Sequence, residues 1–236
     1  MVGEMSLFDA DLEQDQKPTL MGEAYKTLRE AIRTNAFSPG FQGSEQEIAT
    51  RLGMSRTPVH EAILRLQEEG LIKILPKRGV VVCALSPQDM KEIYDVTIAL
   101  EAVAAELLAA MAKDVRLRFA DEMDELNKEM KRALRADDLD VWAKSDEEFH
   151  RALVERCGNK RIAKMAQTIS DQYHRARMLT LRMRSKPNKS VADHQDIISA
   201  VRAGKIAEAH DAARRHRVRA RDELMPLLTR NGIKHL

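Results

Sequence analysis

Two helix start signals separated by a tight turn, then a basic hairpin, fall between Ser44 and Cys83, and that succession admits few folds. Ser44, followed three residues on by Glu47, predicts a capping box: the serine oxygen accepts a first-turn N–H and the glutamate accepts the cap's own. The short helix after it carries Ile48, Ala49 and Leu52 inward and stops at Gly53-Met54-Ser55, where Gly53 is free to turn left-handed. A second helix is expected with Thr57 as its cap and Pro58 at the first helical position, where a missing N–H loses nothing. It runs through Ile63, Leu64 and Leu66 until Gly70. Residues 71–75 and 80–83 are β-branched runs around the turn Pro76-Lys77-Arg78-Gly79, which reads as a two-stranded hairpin with a basic tip. Ahead of all this, residues 20–35 place Leu20, Ala24, Leu28, Ala31 and Ile32 at helical spacing, and Ser38-Pro39-Gly40 breaks that helix.

Helix, short turn, helix and basic hairpin together describe a winged helix-turn-helix, a double-stranded-DNA-binding unit. SRTPVHEAIL alone also fits an ordinary capped helix, and the basic wing at the right distance favours DNA. Arg56 and Thr57 stand at the N-terminal end of the second helix, where exposed N–H groups favour phosphate, with His60 one turn along. Lys77 and Arg78 are placed to reach the DNA backbone or minor groove. Residues 17–85 carry ten Lys/Arg against seven Asp/Glu, whereas 1–16 carry five acids and no base. The string SEQEIATRLGMSRTPVHEAILRLQEEGLIKILPKRGVVV resembles the winged-helix domain of GntR-family transcription regulators, a likeness covering residues 20–84. The resemblance implies DNA contacts at Gln46, Ser55, Arg56, Thr57 and His60 and at the wing around Lys77, Arg78 and Gly79. His60 departs from the arginine usual there; being shorter and mostly neutral, it implies a weaker or different contact.

From Ser86-Pro87 onward the chain reads as helical, with breaks near Lys113-Asp114, Ala136-Asp137-Asp138, Gly158-Asn159, 185–189 and Gly204. Helices joined by such short connections predict an antiparallel bundle. The 115–135 segment shows its core stripe as Leu117, Ala120, Met123, Leu126, Met130 and Leu134. The fold class is therefore mainly α: an acidic flexible tail over 1–18, a winged helix-turn-helix over 19–85, and an all-helical antiparallel bundle over 86–236, to which the family resemblance assigns effector binding and dimerisation. A chain of 236 residues that is 44% apolar and 32% charged is too apolar for disorder and too charged for a membrane protein. An N-terminus with acids where a signal peptide carries Lys or Arg predicts a cytoplasmic protein. Cys83 and Cys157 form no disulfide framework and read as reduced, buried thiols. No glycine-rich phosphate loop or nucleophile elbow is present, which argues against an enzyme.

Four polar residues occupy apolar positions of this bundle. Asp146 and His150 lie four apart on the face carrying Leu153 and Val154. His194 shares a face with Ile197, Ile198 and Val201, and His216 follows Ala209, Ala212 and Ala213. Three imidazoles and a carboxylate facing inward from three helices suit a divalent metal such as zinc, nickel, manganese or iron, with positions left open. Each histidine taken alone also fits a hydrogen-bonded core residue, and Asp146 also fits a cap or a pair with Arg151; periodicity fixes faces and leaves distances open. No further carboxylate is evident on these inward faces, so a water-activating metalloenzyme lacks a general base. Residues 88–230 resemble the FCD ligand-binding domain of the FadR subfamily of GntR regulators. The likeness rests on the D-x3-H pair, the DHQDI segment and a final histidine 22 residues after the second. It implies that Asp146, His150, His194 and His216 all ligate a metal, zinc first among the candidates. His174, His210 and His235 match no ligand position and are expected at the surface or around the site. Thr97 departs from the arginine many relatives carry there, which points to a different effector chemistry. The acid-free stretch 173–187 holds Arg175, Arg177, Arg182, Arg184 and Lys186, and Arg177 is expected to turn inward toward an anionic effector.

The resulting expectation is a homodimeric repressor that binds a palindromic operator and answers to a small carboxylate metabolite held at the metal. Two alternatives stay open: a constitutive DNA binder with a structural metal, and a metalloenzyme carrying a DNA-binding head.

Overall fold

A computed structural model describes residues 19–183 and 186–230. The acidic tail, Arg184 and His235 lie outside the described residues. The first unit comprises α1 (Leu20–Arg33), β1 (Gln42–Gly43), α2 (Glu45–Leu52), α3 (Arg56–Glu68), β2 (Ile72–Leu75) and β3 (Gly79–Val82). The three strands form an antiparallel sheet in the order β1-β3-β2, with Gln42 opposite Val81 and Leu75 opposite Gly79. The expected hairpin is present, and β1 is an addition: two residues are too short to show an alternating pattern.

Ser44 caps α2 by accepting the Glu47 N–H at 3.1 Å, while the Glu47 carboxylate turns to Arg51 at 2.8 Å, so the capping box is half made. Gly53 ends α2 at φ 67°, as its place in the turn requires. Helix α3 begins one residue before Thr57: Ser55 is the N-cap with extended backbone, and its side chain makes no cap hydrogen bond. Pro58 thus sits at the third helical position, still in the first turn, whose N–H groups have no helical partner to lose. Leu64 and Leu20, both among the apolar positions of these helices, are 43% and 71% exposed. Tyr25 is buried instead, its hydroxyl donating to Glu69 at 2.8 Å. Leu28, Ile32, Ile48, Val59, Ile63, Leu66, Ile72 and Val80 close the core of this head.

The second unit is a bundle of α4 (Pro87–Ala110), α5 (Lys113–Arg135), α6 (Leu139–Glu155), α7 (Lys160–Leu181), α8 (Asn188–Ala203) and α9 (Ile206–Arg230). Its boundaries fall at the expected breaks. Ser86 and Asp89 make a complete capping box, Asn159 accepts two first-turn N–H groups, and Gly204 closes α8 at φ 69°. Ala209, Ala212 and Ala213 let α9 pack closely in the bundle, and Leu108, Met123, Met130, Phe149, Leu153, Ile197, Ile198 and Val201 fill the interior. Each such side chain contributes about 1.5–3 kcal/mol by leaving water. A smaller cluster of Met90, Tyr94, Leu224 and Leu228 holds the far end of α4 against α9. Both cysteines are free thiols, Cys157 buried and Cys83 half-buried. Among the described residues, no helix is long and apolar enough to cross a membrane.

Candidate metal centre and nucleic-acid interface

Asp146 and His150 stand one turn apart on α6, His194 on α8 and His216 on α9, and all four are buried. The structure brings them together. His216 Nε2 lies 3.2 Å from both His194 Nε2 and His150 Nε2. Asp146 Oδ1 is 3.7 Å from His194 Nε2 and 3.8 Å from His150 Nε2. Two nitrogens each about 2.0–2.1 Å from one zinc stand about 3.3 Å apart at a tetrahedral angle and about 2.9 Å apart at a right angle. The observed spacing falls between these limits.

Protons reinforce the fit. His150 Nδ1 faces Glu101 Oε2 at 2.9 Å, and His216 Nδ1 faces Asp193 Oδ2 at 3.2 Å. A carboxylate accepts, so it holds the imidazole proton on Nδ1 and leaves Nε2 as a bare lone pair. Lone pairs pointed at one another across 3.2 Å repel until a cation lies between them. Burial, with the neighbouring imidazoles and arginines adding to it, holds His194 well below the ordinary histidine value. Burial likewise pushes His216 down to about 4, despite its hydrogen bond to Asp193. Both rings are therefore neutral near pH 7 and available as ligands.

Four surrounding residues, Glu101, Arg217, Asp193 and Arg219, escaped the sequence reading. Glu101 is one of two acids in the otherwise apolar run TIALEAVAAELLA; it is buried and overturns the expectation that no further carboxylate faces inward. Arg217 donates to it twice, Nε to Oε2 at 2.7 Å and Nη2 to Oε1 at 2.5 Å. Burial alone would raise the Glu101 carboxyl, and Arg217 and His150 outweigh that to hold it well below the carboxylate range. Asp193, adjacent to His194, takes Arg219 Nε at 2.6 Å. Asp146 pairs with Arg177, not with Arg151, and Arg177 Nη2 also donates to the Ala143 carbonyl at 3.0 Å. Arg177 is thus turned inward as expected. Each of the three carboxylates around the histidines holds one guanidinium. A cavity of about 70 Å³ opens beside His150, lined also by Thr97, Glu101, Arg177, Arg217, Arg33, Glu147 and Asp171. Thr97 donates its hydroxyl to the Ile93 carbonyl at 2.8 Å. His174 lies 3.2 Å from Glu147 outside the ligand set, and His210 sits beside Asp211.

In the head, Ser55, Arg56, Thr57, His60 and Gln46 are all exposed around the N-terminal end of α3. Glu45, unremarked in the sequence, touches two of them: His60 Nδ1 at 2.8 Å and Arg56 Nη2 at 3.3 Å. At the wing tip Lys77 and Arg78 are exposed, and Gln42 Nε2 donates to the Arg78 carbonyl at 2.7 Å. Gly79 has φ 86°, and a Cβ there would stand 2.4 Å from the Gly43 carbonyl oxygen, so this glycine shapes the wing.

The profile described as "Bacterial regulatory proteins, gntR family" matches residues 20–82, and the FCD domain profile matches residues 92–219. The chain belongs to the GntR family. This GntR chain is 54% identical over 131 residues to an HTH-type transcriptional regulator in the TAR-I ttuE-ttuC' intergenic region of Agrobacterium vitis, covering 56% of this chain and 77% of that one. It is 32% identical over 200 residues to an HTH-type transcriptional regulator in an unstable DNA locus of Streptomyces ambofaciens, covering 82% and 80% of the two chains. The fold is similar to that of E. coli McbR/YncC, with TM-score 0.73, 18% identity and coverage of 89% and 98%. It is thus a DNA-binding transcriptional regulator of the GntR/FCD type, and its relatives are transcriptional regulators.

Proposed function

We propose that this GntR regulator is a homodimeric repressor whose affinity for a palindromic operator is set by a small carboxylate bound at a divalent metal between Asp146, His150, His194 and His216. One observation carries the effector reading. Asp146, Glu101 and Asp193 each hold a guanidinium, of Arg177, Arg217 and Arg219, and burial keeps His194 and His216 neutral. A divalent ion added to a paired, buried site leaves two positive charges uncompensated, which low-dielectric surroundings disfavour strongly. An anion in the adjoining cavity removes that penalty. The metal, zinc first, supplies an open coordination position for it; nickel, manganese or iron fit the same ligands. The residues orient the rest: Glu101 and Asp193 fix the histidine tautomers, and Arg177 holds Asp146.

Two heads with Arg56, Thr57 and His60 at the end of α3 would enter successive major grooves, with Lys77 and Arg78 on the flanking backbone. The effector acts by binding the DNA-competent and incompetent arrangements unequally; a ten- to hundred-fold difference, ~1.4–2.7 kcal/mol, makes a usable switch. A thermal-shift screen of the zinc-loaded protein against small carboxylates, beside His194→Ala, tests this. At about a hundred times Kd a true effector stabilises by ~2.7 kcal/mol, or roughly 5–10 °C for a chain of this size. Silence of every carboxylate on the parent, or an equal shift on His194→Ala, rejects the reading.

A further inference from the structure

The contact between head and bundle combines a hydrogen bond, Gln172 Nε2 to the Glu69 carbonyl at 2.8 Å, with a set of charged pairs. Arg29 and Arg33, one turn apart on α1, face α6 and α7. Arg29 grips Asp171 with two donors, Nε to Oδ2 at 2.6 Å and Nη2 to Oδ1 at 2.7 Å. Arg33 divides its guanidinium between Asp171 and Glu147, at 2.5 Å each. The other Glu147 oxygen lies 3.6 Å from Arg177 Nη2. One carboxylate therefore stands between a guanidinium of the DNA-binding head and the guanidinium that holds Asp146. Arg33, Glu147, Arg177 and His150 all line the same cavity.

Charge indicates what belongs there. Glu147 already meets a guanidinium on either side, Arg33 at 2.5 Å and Arg177 at 3.6 Å, in the same cavity that His150 lines. A monocarboxylate at the metal leaves that place to Glu147, whereas a dicarboxylate has a second carboxylate to occupy it. The volume of about 70 Å³ holds only a handful of waters or one small organic anion. A guanidinium also matches a carboxylate with two parallel N–H donors, so the place Glu147 occupies suits a ligand carboxylate equally well.

We infer that the effector is a small dicarboxylate and that Arg33, from the DNA-binding head, is one of its ligands. One carboxylate lies on the metal side, near His150, and the other displaces Glu147 from between Arg33 and Arg177. This rests on the effector reading above and adds a ligand class and a residue from the other domain. Its consequence is direct signalling. Displacing Glu147 removes a contact that holds α1 on α6, and α1 shares its core with the recognition helix through Leu28, Ile32, Ile63 and Leu66.

Isothermal titration of the zinc-loaded protein with acetate, lactate, malonate, succinate and glutarate tests this on the parent, Arg33→Gln and Glu147→Gln, with bound zinc measured for each. The best dicarboxylate should bind the parent roughly tenfold or more tightly than the best monocarboxylate, since it engages one further charged partner. Arg33→Gln should erase that advantage while monocarboxylate affinity and zinc content stay within about twofold. Glu147→Gln removes the internal competitor and should tighten the dicarboxylate several-fold, so it decides the matter should Arg33→Gln fold poorly. A parent without the preference, an advantage that survives in Arg33→Gln, or a weaker dicarboxylate in Glu147→Gln overturns the inference while monocarboxylate binding keeps the metal-site reading. If no carboxylate binds the parent, both fall.

Discussion

Replacing Glu101 by glutamine separates the proton-fixing role of this residue from its charge-pairing role. Glu101 accepts three hydrogen bonds, two from Arg217 and one from His150 Nδ1. Glutamine has one oxygen and one NH2. With its oxygen at the Oε2 position, the NH2 faces Arg217 Nη2, donor against donor. With the oxygen at the Oε1 position, the NH2 faces His150 Nδ1, and the imidazole proton is driven to Nε2, the atom the metal needs. Either way Arg217, only 4% exposed, loses its counter-charge. Breaking one side of a buried pair costs about 3–5 kcal/mol. Loss of a carboxylate that orients a ligating histidine costs about 10–100-fold in metal affinity, or ~1.4–2.7 kcal/mol. Urea denaturation of the metal-free protein reads the first number, and competition with a chromophoric chelator reads the second. The double variant Glu101→Gln/Arg217→Met should recover most of the stability, because no buried charge is then left alone, and should recover none of the zinc affinity. Zinc binding by Glu101→Gln within twofold of the parent would refute the tautomer argument, and unchanged stability would refute the pairing argument.

Other expectations follow from the same geometry. His216 has its folded value depressed to about 4, so its neutral state contributes stability above about pH 6.5 that is lost as pH falls toward 4. The loss amounts to about 3 kcal/mol in the metal-free protein, read by urea midpoints across that window; a flat profile there contradicts it. Arg56→Ala should weaken operator binding by about 1–3 kcal/mol if Arg56 reads a base, and an equal loss on random DNA in a salt titration would make it a phosphate contact. Gly79→Ala must place a Cβ 2.4 Å from the Gly43 carbonyl at φ 86°, and should destabilise the head by about 1–3 kcal/mol while zinc content is unchanged. An alanine variant that melts like the parent would show that the wing relaxes freely.

Local chemistry made the helix boundaries legible: Ser86 with Asp89, Asn159 and Gly204 act within a few residues, and each ended or began a helix where it stood. Thr57 misled because Ser55, also a good cap, lies two residues away and the Pro58 signal is compatible with either. The faces of His150, His194 and His216 were legible from periodicity, and the distance between them was not, since it depends on how α6, α8 and α9 pack. Glu101 stayed hidden for a related reason. An acid in an apolar stretch of helix, like its neighbour Glu106, reads as an edge residue until Arg217 arrives from α9, 116 positions away. Strand β1 had no pattern to show, because it exists only as a partner for β3.

The way the head is held bears on the proposed response to an effector. The buried apolar side chains fall into separate clusters, and the cluster of the head contains no residue beyond Val82. What joins α1 to α6 and α7 is Arg29 and Arg33 against Asp171 and Glu147, with His174 Nδ1 3.3 Å from Arg33 Nη2, Asp171 almost fully buried and Glu147 29% exposed in its side chain. An apolar contact gives up its stability gradually with area and is indifferent to which small molecule arrives. A contact made of a few charged groups is selective, because one anion of the right shape can replace one carboxylate and leave the remaining charges in place. The two carboxylates differ in that respect. On the inference above, the nearly buried Asp171, gripped by both arginines, is the hinge, and the more exposed Glu147, shared among Arg33, Arg177 and His174, is the group the ligand replaces. Asp171→Asn should therefore loosen the head irrespective of ligand, seen as faster hydrogen exchange in α1 with zinc affinity unchanged, while Glu147→Gln should loosen it only to the extent that the effector does. If the two variants behave alike, the division between hinge and releasable contact is wrong.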